Sequence, residues 1–277
     1  MLVAPDNWTK NTKPSWNAPP TQLVLSKKDV HIWRAALDLP SKRVQELKGS
    51  LSIDEMMKAE RFRFERDRSQ FIIARGILRL ILACYLNVEP GAIQFCYRKN
   101  GKPRLQNAFG KTGIQFNLSD SEGLALYAFT RDNEVGVDLE RIRDLPEMEQ
   151  IVEQFFSARE RIVFRTVPAS EKQETFFKWW ARKEAFMKAV GEGLSYRLGR
   201  FDAILGDGKS VESLGILRGA KQRPRWTMWD IRPDEEFAGA VVAEGGDWDV
   251  HCWQLPGKSR DYMERMRSNV HSFNVFI

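Results

Sequence analysis

The sequence has 277 residues, which suits one large domain or two small ones. Apolar residues make up 43% of it and charged residues 29%, so a chain that is disordered throughout is excluded. No run of about 18 apolar residues and no secretory signal pattern is present, so we expect neither a membrane span nor export. The three cysteines lack CxxC spacing, which favours a reducing, cytoplasmic compartment over a zinc or disulfide framework.

The charge balance is 43 basic against 37 acidic residues, a net charge of +6. This excess is too small to require nucleic acid as a partner. It suits a phosphate-bearing ligand or an acidic protein, and an ordinary basic protein has the same balance. Function must therefore be predicted from local groups of residues.

The first half of the sequence alternates between strand and helix patterns. Residues 1–24 are rich in Pro, Asn and Thr and predict an extended or mobile arm. Ser52 and Glu55 have the spacing of a capping box, which predicts that a helix begins there. Apolar periodicity predicts a long helix from Ser69 to Leu86. Strands are predicted over 29–37, 93–98, 114–118 and 124–130.

The second half of the sequence repeats this order. A strand over 134–140 is expected to form a hairpin with 124–130 across the turn between them. A second capping-box spacing, from Ser157 to Glu160, precedes a long helical pattern over 175–190 that Gly191 ends. Further strands are predicted over 201–205, 225–231, 237–242 and 248–253.

This repetition predicts an α+β fold of two similar α/β lobes related by a pseudo-twofold axis, with the active site where the lobes meet. A chance similarity between the two halves is the alternative. The expected segments are the arm over 1–24, an N-terminal lobe over 25–133, a C-terminal lobe over 134–255 and a tail over 256–277.

An acidic pair lies in the segment Val135-Gly136-Val137-Asp138-Leu139-Glu140. Alternation along a strand places its three apolar side chains toward the core and both carboxylates on the other face. Gly136 shares that face and leaves room for a ligand to approach. Two carboxylates ~7 Å apart, at ~3.3 Å rise per residue, repel each other unless a cation lies between them. Such a pair suits Mg²⁺, although a solvated strand face is the simpler alternative.

A second pattern lies on the amphipathic helix that contains Phe176 to Lys188. Glu184 and Lys188 are four residues apart on one flank, as in an ordinary surface pair. Lys183 falls within the apolar stripe, so its ammonium must either reach the surface or point into a cleft with a charged partner. The neighbouring tryptophans favour the cleft.

The first half of the sequence contains candidate phosphate-binding residues. Most of its basic residues suit a solvated helix face. Lys102 differs because Gly101 and Pro103 fix the backbone that presents it. Arg75 has small or apolar neighbours, which would let a phosphate approach. The segment 117–121, Asn-Leu-Ser-Asp-Ser, offers hydroxyl groups and turn amides at the end of a strand.

Together these segments resemble the 4′-phosphopantetheinyl transferases of the larger, surfactin-synthetase-activating (Sfp) type. The resemblance covers roughly 51–205 and agrees with the duplicated pattern. It implies transfer of the 4′-phosphopantetheine arm of coenzyme A to a serine of an apo acyl or peptidyl carrier protein, with release of adenosine 3′,5′-bisphosphate. The matching segments are Gly101–Pro103, Phe116–Ser119, Gly136–Glu140 and Trp180–Lys188.

The resemblance also implies roles for individual residues. Asp138, Glu140 and Glu184 would hold Mg²⁺, or Mn²⁺ in its place, on the pyrophosphate of coenzyme A. Glu184 would be the base for the serine hydroxyl, and Lys188 would contact the pyrophosphate. The catalytic residues are thus expected to be Asp138, Glu184 and Lys188. The residues expected to bind coenzyme A are Lys58, Arg75, Lys102, Ser119, Asp120, Lys183 and Lys188.

Asp120 departs from the family pattern, which usually has His after the Asn-x-Ser of its first motif. A carboxylate beside phosphates is repulsive unless it turns away or gains a metal or a proton. We therefore expect weaker coenzyme A binding than in a His-bearing relative.

Two other functions fit part of the pattern. A Mg²⁺-dependent nuclease also uses clustered carboxylates, but it does not account for the Gly-Lys-Pro and Asn-Leu-Ser segments. A non-catalytic protein that binds coenzyme A or a carrier protein would account for Asp120. The motifs do not distinguish fatty acid, polyketide and non-ribosomal peptide carriers. A monomer without nucleic acid or membrane partners is expected.

Overall fold

The computed structural model describes residues 14–20, 22–99, 101–191, 202 and 226–255. The chain divides into two compact units. The first unit comprises Trp16–Asp132 with Val250–Ile277, and the second comprises Met1–Ser15 with Asn133–Asp249. Most of the predicted arm, the predicted tail and the predicted strand over 201–205, apart from Asp202, lie outside the described residues.

The first unit is built on a four-stranded sheet that packs against a long helix. The strands are β1 (Asp29–Ala36), β4 (Ile114–Ser121), β5 (Leu124–Arg131) and β9 (Asp249–Gln254), in the order β4-β5-β1-β9. Strands β2 (Phe95–Tyr97) and β3 (Pro103–Leu105) form a separate two-stranded sheet. The helices are α1 (Ser41–Lys48), α2 (Ile53–Ala59) and α3 (Glu65–Leu86).

Helix α3 is the core helix of the first unit. Among the described residues it is the one helix with the length and composition to span a membrane, but 67% of that stretch is buried within the fold. A Cβ atom on Gly76 would lie 2.7 Å from the Cβ of Leu47 on α1. The small residue beside Arg75 therefore allows α1 to pack closely, which corrects the expectation that it opens space for a phosphate.

The second unit contains a three-stranded antiparallel sheet covered by a long helix. The strands are β6 (Val135–Arg141), β7 (Trp226–Ile231) and β8 (Phe237–Glu244), in the order β6-β8-β7. The helices are α4 (Met148–Phe155), α5 (Ala158–Thr166) and α6 (Ala169–Val190). Aromatic residues of α6 form a core with small and aliphatic residues of β8, so the helix lies across the sheet.

The predicted hairpin between 124–130 and 134–140 is wrong. Strand β5 pairs with β1 and β4, whereas β6 pairs with β8, with Asp138 opposite Ala240. On the face of β6 that carries Gly136, the neighbouring residues of β8 are Val242, Ala240 and Ala238. These short side chains form a core with α6 and let the helix approach the sheet. Alternation of side chains specifies the faces of a strand but not its partner.

Two further expectations are corrected by the packing. A Cβ atom on Gly136 would collide with the carbonyl oxygen of Ala185 and the nitrogen of Ala189, so this glycine accommodates α6 and not a ligand. The sequence predicts that the strand over 248–253 belongs to the C-terminal lobe, but β9 hydrogen-bonds in the sheet of the first unit, beside β1.

The repeated order of elements is present in the two units. Both capping boxes form, Ser52 with Glu55 before α2 and Ser157 with Glu160 before α5. Each is followed by a helix of 22 residues, and α6 ends at Gly191 in the left-handed conformation. The α+β class is therefore confirmed, while the pseudo-twofold axis and the site where the lobes meet stay predictions.

Candidate active site

Strand β6 and helix α6 bring the predicted metal-binding residues into one cluster. Asp138 is 4% exposed, and its Oδ1 atom lies 2.7 Å from Nζ of Lys188. Glu140 follows two residues along the same face of β6, and Glu184 lies one turn before Lys188 on α6. We refer to Asp138, Glu140 and Glu184 as the acidic cluster.

Charge repulsion and burial act together on the acidic cluster. Burial, followed by the charge of Asp138, raises the pKa of Glu140 to about 7, and the same two causes raise the pKa of Glu184 to about 7. Lys188 opposes both shifts. The Oε1 atom of Glu184 is buried and has no hydrogen-bond partner in the part of the chain that the structure describes. Ionising all three carboxylates together is therefore unfavourable in the metal-free fold, even with Lys188 beside them.

The donor chemistry of these residues suits a divalent cation. Carboxylate oxygens are the hard donors that Mg²⁺ takes from proteins, usually one or two together with substrate phosphates. A cation at the acidic cluster would relieve the repulsion between Glu140, Glu184 and Asp138 and would give the buried Oε1 atom of Glu184 a partner. The three carboxylates were each predicted as ligands, and that role stays a prediction.

The raised pKa values predict a pH-dependent stabilisation by Mg²⁺. Folded metal-free protein keeps protons on Glu140 and Glu184 up to about pH 7, whereas the unfolded chain loses them near the ordinary value of 4.5. Stability of the metal-free protein therefore falls as pH rises from 4.5 to about 7 and changes little above that. Because Mg²⁺ competes with these protons, it should raise Tm more at pH 8 than at pH 6.

Differential scanning fluorimetry with and without MgCl₂ at the two pH values measures this difference. The Glu140→Gln variant is the control, since it removes one titrating carboxylate and should reduce the pH dependence of the Mg²⁺ effect. Equal Tm increases at pH 6 and pH 8 would contradict the assignment of the cation to the acidic cluster.

Lys183 has a buried partner of its own. Its side chain and that of Glu160 are both 0% exposed, and Lys183 Nζ lies 2.7 Å from Glu160 Oε2. The ammonium also lies 5.4 Å from the ring centre of Phe156. Burial lowers the pKa of Lys183, and the charge of Glu160 opposes that shift. This pairing argues for a structural role and against direct contact with coenzyme A.

Arg75 is held in a comparable buried group in the first unit. Its Nε atom donates to Glu55 Oε1 at 2.7 Å, and Arg79 Nε donates to Glu55 Oε2 at the same distance. Both guanidinium groups lie over the ring of Phe95. Arg75 also donates to the hydroxyl of Tyr97 at 3.1 Å. Arg75, which the sequence predicts to bind the nucleotide, therefore already donates hydrogen bonds to a carboxylate and to a phenol.

The other predicted coenzyme A residues lie on different elements of the first unit. Lys58 is an exposed residue of α2 whose ammonium lies 5.4 Å from the ring centre of Phe71. Lys102 is buried just before β3. On β4, Ser119 is buried and Asp120 is exposed. The structure leaves their binding roles as predictions.

One positioning contact was not expected from the sequence. Arg182 donates from Nε and Nη2 to the two carboxylate oxygens of Asp230 on β7, each at 2.6 Å. Although burial opposes it, hydrogen bonding and charge from Arg182 lower the pKa of Asp230. This bidentate pair fixes α6 on the sheet two residues before Glu184. Arg182 lies in the predicted helix motif, but its partner on β7 is distant in sequence.

Family models match both halves of the chain. Residues 134–242, which contain the whole acidic cluster, match the family model described as "4′-phosphopantetheinyl transferase superfamily". Residues 40–130 match the model described as "4′-phosphopantetheinyl transferase, N-terminal". Two such matches, one in each half of the chain, include all the motifs on which the resemblance depends.

Curated relatives match over most of the chain. The 4′-phosphopantetheinyl transferase HetI of Nostoc sp. (strain PCC 7120) is 37% identical over 239 residues, which are 86% of this chain and 98% of the relative. A human L-aminoadipate-semialdehyde dehydrogenase-phosphopantetheinyl transferase is 25% identical over 81% of this chain and 77% of its own length. A 4′-phosphopantetheinyl transferase of Bacillus subtilis is 26% identical over 78% of this chain and 93% of its own length.

The chain therefore belongs to the 4′-phosphopantetheinyl transferase family, and it is an enzyme of that class. Members of this family use coenzyme A and modify carrier proteins. The narrower expectation of the surfactin-synthetase-activating type is not confirmed by these matches and stays a prediction.

Proposed function

We propose that this enzyme transfers the 4′-phosphopantetheine arm of coenzyme A to a serine of an apo acyl or peptidyl carrier protein, that the reaction needs Mg²⁺, and that adenosine 3′,5′-bisphosphate is released. The observation that carries the proposal is the acidic cluster, in which Asp138 pairs with Lys188 at 2.7 Å and the buried Oε1 atom of Glu184 has no hydrogen-bond partner among the described residues. It lies within the residues that match the superfamily model.

The proposed reaction exchanges one phosphorus–oxygen bond for another. The serine oxygen bonds to the phosphorus that bears the pantetheine arm, and the bond from that phosphorus to the bridging pyrophosphate oxygen breaks. The bridging oxygen leaves with adenosine 3′,5′-bisphosphate. A divalent ion, when bound, neutralises the charge that develops on the pyrophosphate.

The residues of the second unit supply the proton transfer and the positioning. Glu184 accepts the serine proton, directly or through a water molecule, from its position on α6 one turn before Lys188. Lys188 orients Asp138 through their 2.7 Å ion pair and contacts the pyrophosphate. Arg182 holds α6, and therefore Glu184, on the sheet through Asp230.

The residues of the first unit are proposed to bind the nucleotide. Lys58 and Lys102 contribute charge to the phosphates, and Arg75 does so from its fixed position against Glu55. Ser119 contributes a hydroxyl from β4. The net charge of +6 favours an acidic carrier protein as the second substrate. A cytoplasmic location and a monomeric state remain part of this proposal.

Incubation with an apo carrier protein, coenzyme A and MgCl₂ tests the proposed function. Mass spectrometry should show a gain of one phosphopantetheine group on the carrier, with adenosine 3′,5′-bisphosphate in solution and no reaction in EDTA. Coenzyme A binding without modification of any acyl, polyketide or peptidyl carrier would contradict the proposal and favour the non-catalytic alternative. Cleavage of DNA or RNA without carrier modification would favour the nuclease.

Because Asp120 stands where the family usually has His, replacing it with His should increase the affinity for coenzyme A. Asp120→His replaces an exposed carboxylate with a side chain that is cationic or neutral, so repulsion of the phosphates should decrease. We expect KM for coenzyme A to fall by about two- to tenfold, the range for a partly screened charge. Steady-state kinetics measures this change. Asp67→His, at an exposed position of α3, is the matched control; an unchanged KM in Asp120→His would remove Asp120 from the binding site.

A further inference from the structure

A second group of metal-ligating side chains lies in the first unit and shares no residue with the acidic cluster. Asp29 and His31 are two residues apart on β1, so they share one face of that strand. His251 lies on β9, which is the neighbour of β1 in the sheet. One ligand atom from each residue lies within 4.8 Å of the others, and His31 Nε2 is 3.8 Å from Asp29 Oδ2.

Neighbouring groups already hold the three side chains in place. The Nδ1 atom of His31 forms a 2.8 Å hydrogen bond with the hydroxyl of Tyr85, so its Nε2 atom faces Asp29. The Asp29 carboxylate accepts a hydrogen bond from the backbone N–H of Ser26 at 2.6 Å. Outer hydrogen bonds of this kind orient the ligands in metal sites.

Aromatic packing holds the third member of the group. The ring of His251 stacks on that of Trp253, with 5.7 Å between centroids and a 5° interplanar angle. It meets the ring of His31 edge to face, with centroids 5.2 Å apart. The hydrogen bond to Tyr85 and this ring packing therefore fix the orientation of both imidazoles.

We propose that Asp29, His31 and His251 bind one divalent transition-metal ion of the zinc class. Ligand bonds of about 2.0–2.2 Å around a tetrahedral ion place donor atoms about 3.3 Å apart. The present separations, up to 4.8 Å, require only small side-chain movements to reach that geometry. Two imidazoles with one carboxylate suit Zn²⁺ and its neighbours and not Mg²⁺, which prefers oxygen.

The bound ion would join β1 to β9, which are the first and last strands of the described chain. It would therefore fasten the last strand to the sheet of the first unit and stabilise that unit. A fourth position remains for water or another ligand, as in zinc sites with three protein ligands. This role is independent of the transfer chemistry proposed for the acidic cluster.

Isothermal titration of the full-length protein with ZnCl₂, in saturating MgCl₂, tests the site. We expect one Zn²⁺ per chain and an increase of Tm with ZnCl₂. Asp29→Asn and His251→Gln should each weaken Zn²⁺ binding by at least about tenfold. These two residues are chosen because they are only partly buried, and circular dichroism would establish that both variants fold.

Substitution of His271 provides the control. His271 lies outside the described residues, and His271→Gln should leave Zn²⁺ binding unchanged. Co²⁺ in place of Zn²⁺ should give the visible absorption of a tetrahedral site in the wild type and lose it in His251→Gln. The proposal is overturned if the wild type takes up no Zn²⁺, if both ligand variants bind as tightly as the wild type, or if His271→Gln abolishes binding.

Discussion

Replacing Glu184 with Gln should reduce kcat by about 10²–10⁴-fold, the range for loss of a general base. The substitution keeps the size of the side chain and removes its charge. Because burial and Asp138 raise the pKa of Glu184 to about 7, the charged form is unfavourable in the metal-free fold. The variant should therefore be as stable as the wild type, or more stable at pH 8. Transfer kinetics and urea unfolding measure the two effects.

Glu171→Gln is the matched control for this prediction. Glu171 is an exposed residue in the first turn of α6, so the same change on the same helix should leave kcat unaltered. A loss of activity in Glu184→Gln with a parallel loss of stability would indicate a structural role. Full activity in Glu184→Gln would show that Glu184 is not the base for the serine hydroxyl.

Breaking the ion pair between Glu160 and Lys183 should have the largest effect on stability. Both side chains are 0% exposed, so Glu160→Gln leaves the Lys183 ammonium buried without its counter-ion. The loss expected for an uncompensated buried charge is about 3–5 kcal/mol. Glu160 also accepts the hydrogen bond from Ser157 N–H in the capping box, and the amide oxygen of Gln can still accept it, so the loss measures the ion pair. Urea unfolding measures the change.

A double variant separates the charge from the shape of this pair. Glu160→Gln combined with Lys183→Met removes both charges and should recover part of the stability, giving a coupling energy in a double-mutant cycle. Glu153→Gln, which breaks an exposed pair with Arg165, should change little. If Lys183→Met raised KM for coenzyme A without affecting stability, Lys183 would be a ligand and not a structural residue.

Local geometry predicted the two halves of the acidic cluster, and only the family resemblance predicted that they come together. Alternation along β6 places Asp138 and Glu140 on one face, and one helical turn separates Glu184 from Lys188. The pairing of Lys188 with Asp138 could not be predicted, because the spacing alone suggested a pair with Glu184. Which helix crosses which strand is decided by tertiary packing.

Gly136 and Gly76 show why a small residue in a sequence does not by itself predict a ligand site. Gly136 and Gly76 both looked like openings for a ligand, yet each accepts the close approach of a helix. A missing side chain indicates that something lies close to the backbone, and the sequence does not say what. The wrong hairpin has a similar cause, since β8 is about 100 residues from β6 in the chain and leaves no local signal.

The sequence patterns also do not predict which buried side chains pair when they lie far apart in the chain. The capping boxes predicted where α2 and α5 begin, but the ion pairs of Glu55 and Glu160 depend on the packing of α3 and α6. The grouping of Asp29 and His31 with His251 joins residues from opposite ends of the described chain. Such groups appear only once the sheet order is known.

A crystal structure of the enzyme with coenzyme A and Mn²⁺ tests the central claim most directly. The anomalous signal of the ion should give one peak bounded by the carboxylates of Asp138, Glu140 and Glu184 and by the pyrophosphate. An ion held on the pyrophosphate without any of these three carboxylates, or three carboxylates that bind no ion in the presence of coenzyme A, would contradict it.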